Sequence, residues 1–150
     1  MKNITILCGL PRSGKSTWVK ENQKDEVVIS ADQMRYLVYN QRYWQEGESL
    51  MWSIRGLFLE YVLRQGLDII IDEANIKSKT RLSLIKKAKK YGYLVRCIYF
   101  NTSPRICFQR AKDTNQIDLL PVIKQMSLDF EFPFGEDESK EYDTYYTIYS

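Results

Sequence analysis

The run Gly9-Leu10-Pro11-Arg12-Ser13-Gly14-Lys15-Ser16-Thr17 constrains this chain more than any other stretch. It satisfies G-x-x-x-x-G-K-[ST] between an apolar, β-branched segment, Asn3 to Cys8, and a stretch that reads as a helix, Gly14 to Gln23. Strand, glycine-rich turn and helix are the context that this motif requires. Gly9 and Gly14 admit backbone conformations that aim successive N–H groups at phosphate oxygens, and the helix adds its positive N-terminal end. In such loops the lysine, here Lys15, supplies a point charge to the β- and γ-phosphates, and the hydroxyl of Ser16 is a Mg²⁺ ligand. Gly9, Leu10, Pro11, Arg12, Ser13, Gly14, Lys15, Ser16 and Thr17 are therefore the candidate ATP-binding residues. For Arg12 a solvent-facing position at the loop apex is favoured over a γ-phosphate contact. Cys8 reads as packing.

The rest of the chain alternates strand and helix signals. Val27 to Ser30 reads as a strand, Asp32 opens a helix over Gln33 to Tyr39, and the polar, aromatic stretch Asn40 to Gly47 reads as a loop. Leu50 to Val62 recurs at helical spacing and stops at Gly66; Ile69 to Ile71 is an unbroken apolar strand. A helix capped by Ser78 or Thr80 runs to Gly92, followed by a strand from Leu94 to Phe100 and a helix from Pro104 to Lys112. Pro121 to Phe130 reads as a last helix and Tyr145 to Tyr149 as a last strand. This order predicts one domain over residues 1–150, an α/β fold of P-loop NTPase type, with helices on both faces of a parallel sheet in three layers.

Composition removes several chemistries. The chain has no histidine, which excludes a Ser-His-Asp triad, a Cys-His pair and His-ligated zinc. Proton transfer must use a carboxylate, Lys, Tyr or water. Three cysteines without C-x-x-C spacing point to reduced, buried thiols, and with no signal-peptide pattern and no apolar run of spanning length the expected compartment is the cytoplasm. Glu136 to Asp143 carries five acids against one lysine, leaving 21 basic and 14 acidic groups before it, a balance of +7. That asymmetry is compatible with a polyanionic partner. Lys86, Lys87, Lys89 and Lys90 read as a solvated helix face in preference to a nucleic-acid patch.

Phosphoryl transfer to a hydroxyl calls for a carboxylate that takes the hydroxyl proton. Asp32, just past the second strand, is the candidate, because in open parallel sheets the carboxyl ends of strands face the ligand crevice. A helix-capping role for Asp32 competes with this one, and the two can coexist. Arg35, three residues on, shares its helical face and suits an acceptor phosphate. Ile69-Ile70-Ile71-Asp72-Glu73 is a strand ending in acids, the Walker B pattern; Asp72 is favoured over Glu73 for the metal side. Arg110 and Lys112 are candidates for a lid that neutralises transition-state charge. Arg42, Tyr43 and Trp44 suit either stacking on a terminal base or clamping their own loop onto the domain.

Taken together, Gly9 to Trp18, Ile29-Ser-Ala-Asp32-Gln-Met-Arg35, Ile71-Asp-Glu-Ala-Asn75 with Arg81, and Gln109-Arg110 with Leu120-Pro121-Val-Ile resemble the kinase domain of phage-type 5′-hydroxyl polynucleotide kinases and their uncharacterised bacterial relatives. Phe130-Glu-Phe-Pro133 resembles an element of the latter. The resemblance spans most of the chain. It implies ATP as phosphoryl donor with Mg²⁺, a nucleic-acid 5′ end as acceptor, Asp32 as general base, Arg35 on the acceptor's neighbouring phosphate, and Lys15 and Arg110 on the donor. The family's lids carry a second arginine one turn after the first, where this chain has Thr114. Other outcomes on the same scaffold are a small-molecule kinase and an ATP-binding switch with little transfer.

Overall fold

The computed structural model describes residues 1–150. Five strands, β1 (Asn3–Cys8), β2 (Val27–Ile29), β3 (Ile69–Ile71), β4 (Leu94–Asn101) and β5 (Thr144–Tyr149), form one parallel sheet in the order β2-β3-β1-β4-β5. Seven helices complete a three-layer α/β/α fold: α1 (Lys15–Asn22), α2 (Ala31–Tyr39), α3 (Gln45–Gln65), α4 (Ser78–Lys90), α5 (Pro104–Asp113), α6 (Leu120–Asp129) and the one-turn α7 (Glu136–Ser139). No helix is long and apolar enough to cross a membrane.

Side-chain alternation along the strands divides the core. Ile4, Ile6 and Cys8 of β1 face Leu59, Val62 and Leu63 of α3 and Leu84, Ile85 and Ala88 of α4. Leu7, Ile70, Ile98 and Phe100 belong to a second cluster with Val19 of α1. A third cluster seats α5 and α6 on Leu10 of the loop after β1, through Cys107, Ala111 and Ile123. All strands run the same way, so the carboxyl ends of β1, β2 and β3 open along one edge of the sheet.

Three boundaries differ from the sequence expectation. The cap of α2 is Ser30, whose Oγ accepts from the Gln33 N–H at 3.3 Å, so Asp32 sits inside the first turn and is free of capping. The loop after α2 is short, because α3 starts at Gln45 and takes in Gly47, which lies so close to Tyr39 that a Cβ would come within 2.5 Å of its ring. The acidic segment Glu136 to Asp143, assigned no element from sequence, is folded onto the domain. It forms α7 and sends Glu138 into the interior, onto Arg81, a fully buried arginine.

Arg81 donates through Nε and Nη2 to Glu138 at 2.7 and 3.1 Å, and to the carbonyls of Asn75 at 2.7 Å and Glu131 at 2.8 Å. Ser78 and Tyr142 complete the shell around Glu138. Burial alone would raise the Glu138 pKa, but the hydrogen bonds from Arg81, Ser78 and Tyr142 win and hold it below its ordinary 4.5. Its contribution is therefore present above the unfolded pKa and lost as pH falls through the lower folded value. Glu138→Gln leaves a buried guanidinium without its counter-charge, a cost of about 3–5 kcal/mol. Urea titrations at pH 7 and pH 4 check this: the variant is less stable than the wild type at pH 7, and the gap begins to narrow at pH 4 because the wild type loses more than the variant on acidification.

Candidate functional site

The loop between β1 and α1 wraps a small concavity. Gly14 adopts φ +106°, a region that favours glycine, and Arg12 adopts φ +67°; together they turn the chain so that α1 begins without a capping side chain and with no acid in its first turn. Free N–H groups and an unneutralised positive helix end suit an anion. Gly9 is needed for a different reason than a positive φ: a Cβ there would meet Ser13 Oγ at 2.7 Å and Phe100 Cβ at 3.0 Å. Lys15 folds back into this concavity, donating to the Gly9 and Leu10 carbonyls at 2.8 and 2.7 Å and to Ser13 Oγ at 3.3 Å. Burial lowers its pKa, opposed chiefly by Asp72. A buried cation on neutral carbonyls is a group that a phosphate would satisfy better.

Asp72, at the end of β3, accepts from the Ser16 hydroxyl at 3.0 Å. Burial raises its pKa, and the Ser16 hydrogen bond and Lys15 oppose the rise. Glu73 points elsewhere, onto Arg55 of α3 at 3.0 Å, so only one of the two strand-end acids stands beside Ser16. The chain has no cluster of three or more acidic or thiol ligands that would hold a metal by itself. One hydroxyl and one carboxylate beside a phosphate site do fit Mg²⁺, which keeps several waters and takes its remaining ligands from substrate phosphates.

On the other side, Asp32 is largely exposed and accepts from Arg35 Nη1 at 2.8 Å. Arg35 is also locked by Glu48 of α3, which accepts from Nε at 3.0 Å and from Nη2 at 2.9 Å. Burial works against the Arg35 charge, but Glu48 outweighs it and raises the pKa; the pKa of Glu48 falls in return. Sequence reasoning missed Glu48. Its signal was the spacing Glu48-Trp52-Arg55, one face of a helix that was read as starting too late.

Arg110 of α5 donates to the Arg12 carbonyl at 3.0 Å. Arg12 is half-buried rather than solvent-facing, and its Nε is buried with no hydrogen-bond partner. Thr114 caps α5, its hydroxyl donating to the Arg110 carbonyl at 2.9 Å, and Lys112 is not among the residues lining the cleft. The segment Arg42 to Trp44 splits between its two expected roles. Trp44 packs edge-on against Tyr39 with ring centroids 5.8 Å apart, whereas Arg42 and Tyr43 line the cleft and Arg42 pairs with Asp118 of the 3₁₀ turn Ile117–Leu119.

All of these groups border one cleft of about 1530 Å³: the loop from Pro11 to Thr17, Asp32, Arg35, Asp72 and Arg110. The strand, phosphate loop and helix on a five-stranded parallel sheet define a P-loop, kinase-like domain. More particularly, the family described as an AAA domain (AAA_33) matches residues 4–120, and this chain belongs to it. No curated protein matches the chain.

Solved structures share the fold at low identity. The PezAT chromosomal toxin-antitoxin system of Streptococcus pneumoniae aligns with a TM-score of 0.74 at 15% identity, over 99% of this chain and 67% of that one. The APS kinase CysC of Mycobacterium tuberculosis, in complex with AMPPNP and APS, gives 0.64 at 13%, over 97% and 88%. The Pnkp1/Rnl/Hen1 complex gives 0.64 at 18%, over 73% of this chain and 38% of the other, so this chain spans well under half of that polypeptide.

Removing the Lys15 charge tests the donor side. Lys15→Ala is expected to weaken ATP binding or slow turnover by about two orders of magnitude or more while far-UV circular dichroism is unchanged. Titration with a fluorescent ATP analogue measures the first and consumption of ATP the second, and wild-type values of both in the variant would remove the loop from the donor site.

Proposed function

We propose that this domain transfers the γ-phosphoryl group of ATP to a hydroxyl, with the 5′-hydroxyl of a polynucleotide as the preferred acceptor. The observation that carries the reading is Asp32: a carboxylate released from helix capping, bordering the same cleft as the phosphate loop and paired with Arg35. The resemblance of Ile29 to Arg35 to the polynucleotide kinases supports the choice of acceptor. In this reading Asp32 takes the proton from the attacking hydroxyl, and the edge of Arg35 that faces Asp32 steadies the acceptor's neighbouring phosphate.

On the donor side Lys15 and the N–H groups of Gly14 to Thr17 hold the phosphates. Ser16 and Asp72 would hold the Mg²⁺ that accompanies ATP, which shields phosphate charge during transfer. Arg110 and Arg12 neutralise the charge that builds on the transferring group. Arg12, with its unpartnered Nε, supplies from the loop the second guanidinium that Thr114 does not supply from the lid. Arg12→Ala is then expected to lower kcat by about 10² or more, with ATP affinity much less affected.

A second reading has its own observation. Glu48 already neutralises much of the Arg35 charge, which favours a small polar acceptor over a phosphate-bearing one. Incubation with γ-labelled ATP and a panel of 5′-hydroxyl oligonucleotides, nucleosides and sugars separates the two. Labelled oligonucleotide is expected; label on sugars or nucleosides alone makes this a small-molecule kinase, and no label on any of them leaves ATP binding without transfer. Asp32→Asn is expected to cost roughly 10² to 10⁴ in kcat with nearly unchanged ATP binding, and equal turnover would take the general-base role from Asp32.

A further inference from the structure

The cleft continues past the phosphate loop along α4. Lys79, Thr80, Ser83 and Lys87 of that helix line it, as does Lys77 immediately before the helix. Lys79, Ser83 and Lys87 recur every four residues and so share one stripe, about 12 Å long at 1.5 Å per residue. Lys77, Lys79 and Lys87 are exposed, and none has an ion-pair partner within 4.0 Å, in contrast to Lys89, which is paired with Glu141 at 3.1 Å.

Two features set this stripe apart from an ordinary solvated face. The helix contains no carboxylate, so its cations lack the i,i+4 counter-charges that usually support such a surface. Lys77 and Lys79 also stand at the N-terminal end, where the helix dipole disfavours cations. Local helix stability does not account for Lys77 and Lys79, which an anion lying in the cleft would relieve, whereas Lys87 stands in the last turn, where the dipole favours a cation. The sequence alone favoured solvation for the lysines at 86, 87, 89 and 90. Lys87 lines the cleft and the other three do not.

We infer that this stripe is the bed for the body of a single-stranded nucleic-acid acceptor, with backbone phosphates against Lys77, Lys79 and Lys87. The inference rests on the polynucleotide reading above and adds the course of the strand, from its 5′ end at Asp32 along α4. A single strand is the occupant because Lys79 and Lys87, with Lys77 before them, form one row along one helix, which meets one phosphate backbone and not two. Contacts remote from the reacting atoms bind ground state and transition state alike, so they set KM and leave kcat alone.

The test is steady-state phosphorylation of a single-stranded 12-mer and of a dinucleotide, both with 5′-hydroxyl ends, by the full chain across a salt series. With a slope of about 0.7 per phosphate contact, Lys79→Ala/Lys87→Ala should flatten the 12-mer salt slope by about 1.4 and raise its KM roughly 25-fold at about 0.1 M salt. Its kcat and its KM for the dinucleotide should match wild type. Lys86→Ala/Lys90→Ala removes the same charge from the same helix outside the cleft and should behave as wild type; equal losses in both pairs would reduce the effect to bulk charge and overturn the inference. If the 12-mer is phosphorylated with wild-type KM and slope by the Lys79/Lys87 variant, the strand runs elsewhere, while the polynucleotide reading stands. If the wild-type protein labels no oligonucleotide, that reading falls and this inference with it. Competition by a poly-glutamate peptide as strong as that by an unreactive 5′-phosphorylated 12-mer would mark the stripe as a general anion surface and also overturn it.

Discussion

Burial of the Arg81 charge is the constraint on which the rest of this site depends. A guanidinium without exposure has to meet its hydrogen-bonding capacity inside the protein, and here it does so by collecting groups from separate parts of the chain: the carbonyls of Asn75 and Glu131, the carboxylate of Glu138 and, at 3.8 Å, Cys8 Sγ. Asn75, in turn, has φ +49° and donates from Nδ2 to the Leu7 carbonyl at 2.7 Å, two residues before the phosphate loop. The Gly9 N–H bonds the Ala74 carbonyl at 3.0 Å. The chain beyond β3, which carries Asp72, is thus pinned to the chain beyond β1, which carries Lys15 and Ser16. Removing a partner from such a network is more costly than the network's net contribution to stability, because the remaining charge stays buried.

The same logic of charge held under constraint recurs around the cleft. Lys15 rests on carbonyls at the expense of its pKa, Arg35 is shared between Asp32 and Glu48, and Arg12 keeps a buried Nε without a partner. Neighbouring Cys8 follows the opposite course: burial outweighs the Arg81 and Lys15 charges and pushes its thiol up to about 11, so it stays protonated and packs beside the loop. Polar groups along the cleft thus carry stored desolvation that a phosphate-bearing ligand would offset, and the apolar side of the loop does not compete for it.

Sequence reading reached the elements whose information is local. The phosphate loop, the five strands and most helix bodies follow from short-range patterns of glycine, β-branched runs and 3.6-residue spacing, and all five strands pair in parallel as that alternation implies. What escaped it depended on non-local partners. Nothing near Arg81 announces that its counter-charge is Glu138, 57 residues away, and the acidic segment around Glu138 has the composition of a solvated tail. Glu48 was hidden for a related reason: the polar residues Gln45 to Glu48 look like loop until Gly47 is seen against the ring of Tyr39. Asp32 was read as the opener of α2, yet Ser30 in extended conformation, φ −132°, has the geometry for the cap.

The freed Asp32 and the locked Arg35 also bear on how the cleft discriminates. With Nε and Nη2 held by Glu48, the guanidinium of Arg35 cannot rotate without breaking its bonds to a carboxylate that is itself half-buried, so its remaining edge is fixed toward Asp32. A mobile arginine would accept phosphates in many poses. A fixed edge accepts one, and selectivity for an acceptor then comes from position more than from charge, as expected where binding geometry and not attraction alone brings a hydroxyl into line. On the proposed reading, the attraction lost to Glu48 would be supplied elsewhere along a polymeric acceptor, and Lys77, Lys79 and Lys87 are cations in the same cleft without an ion-pair partner.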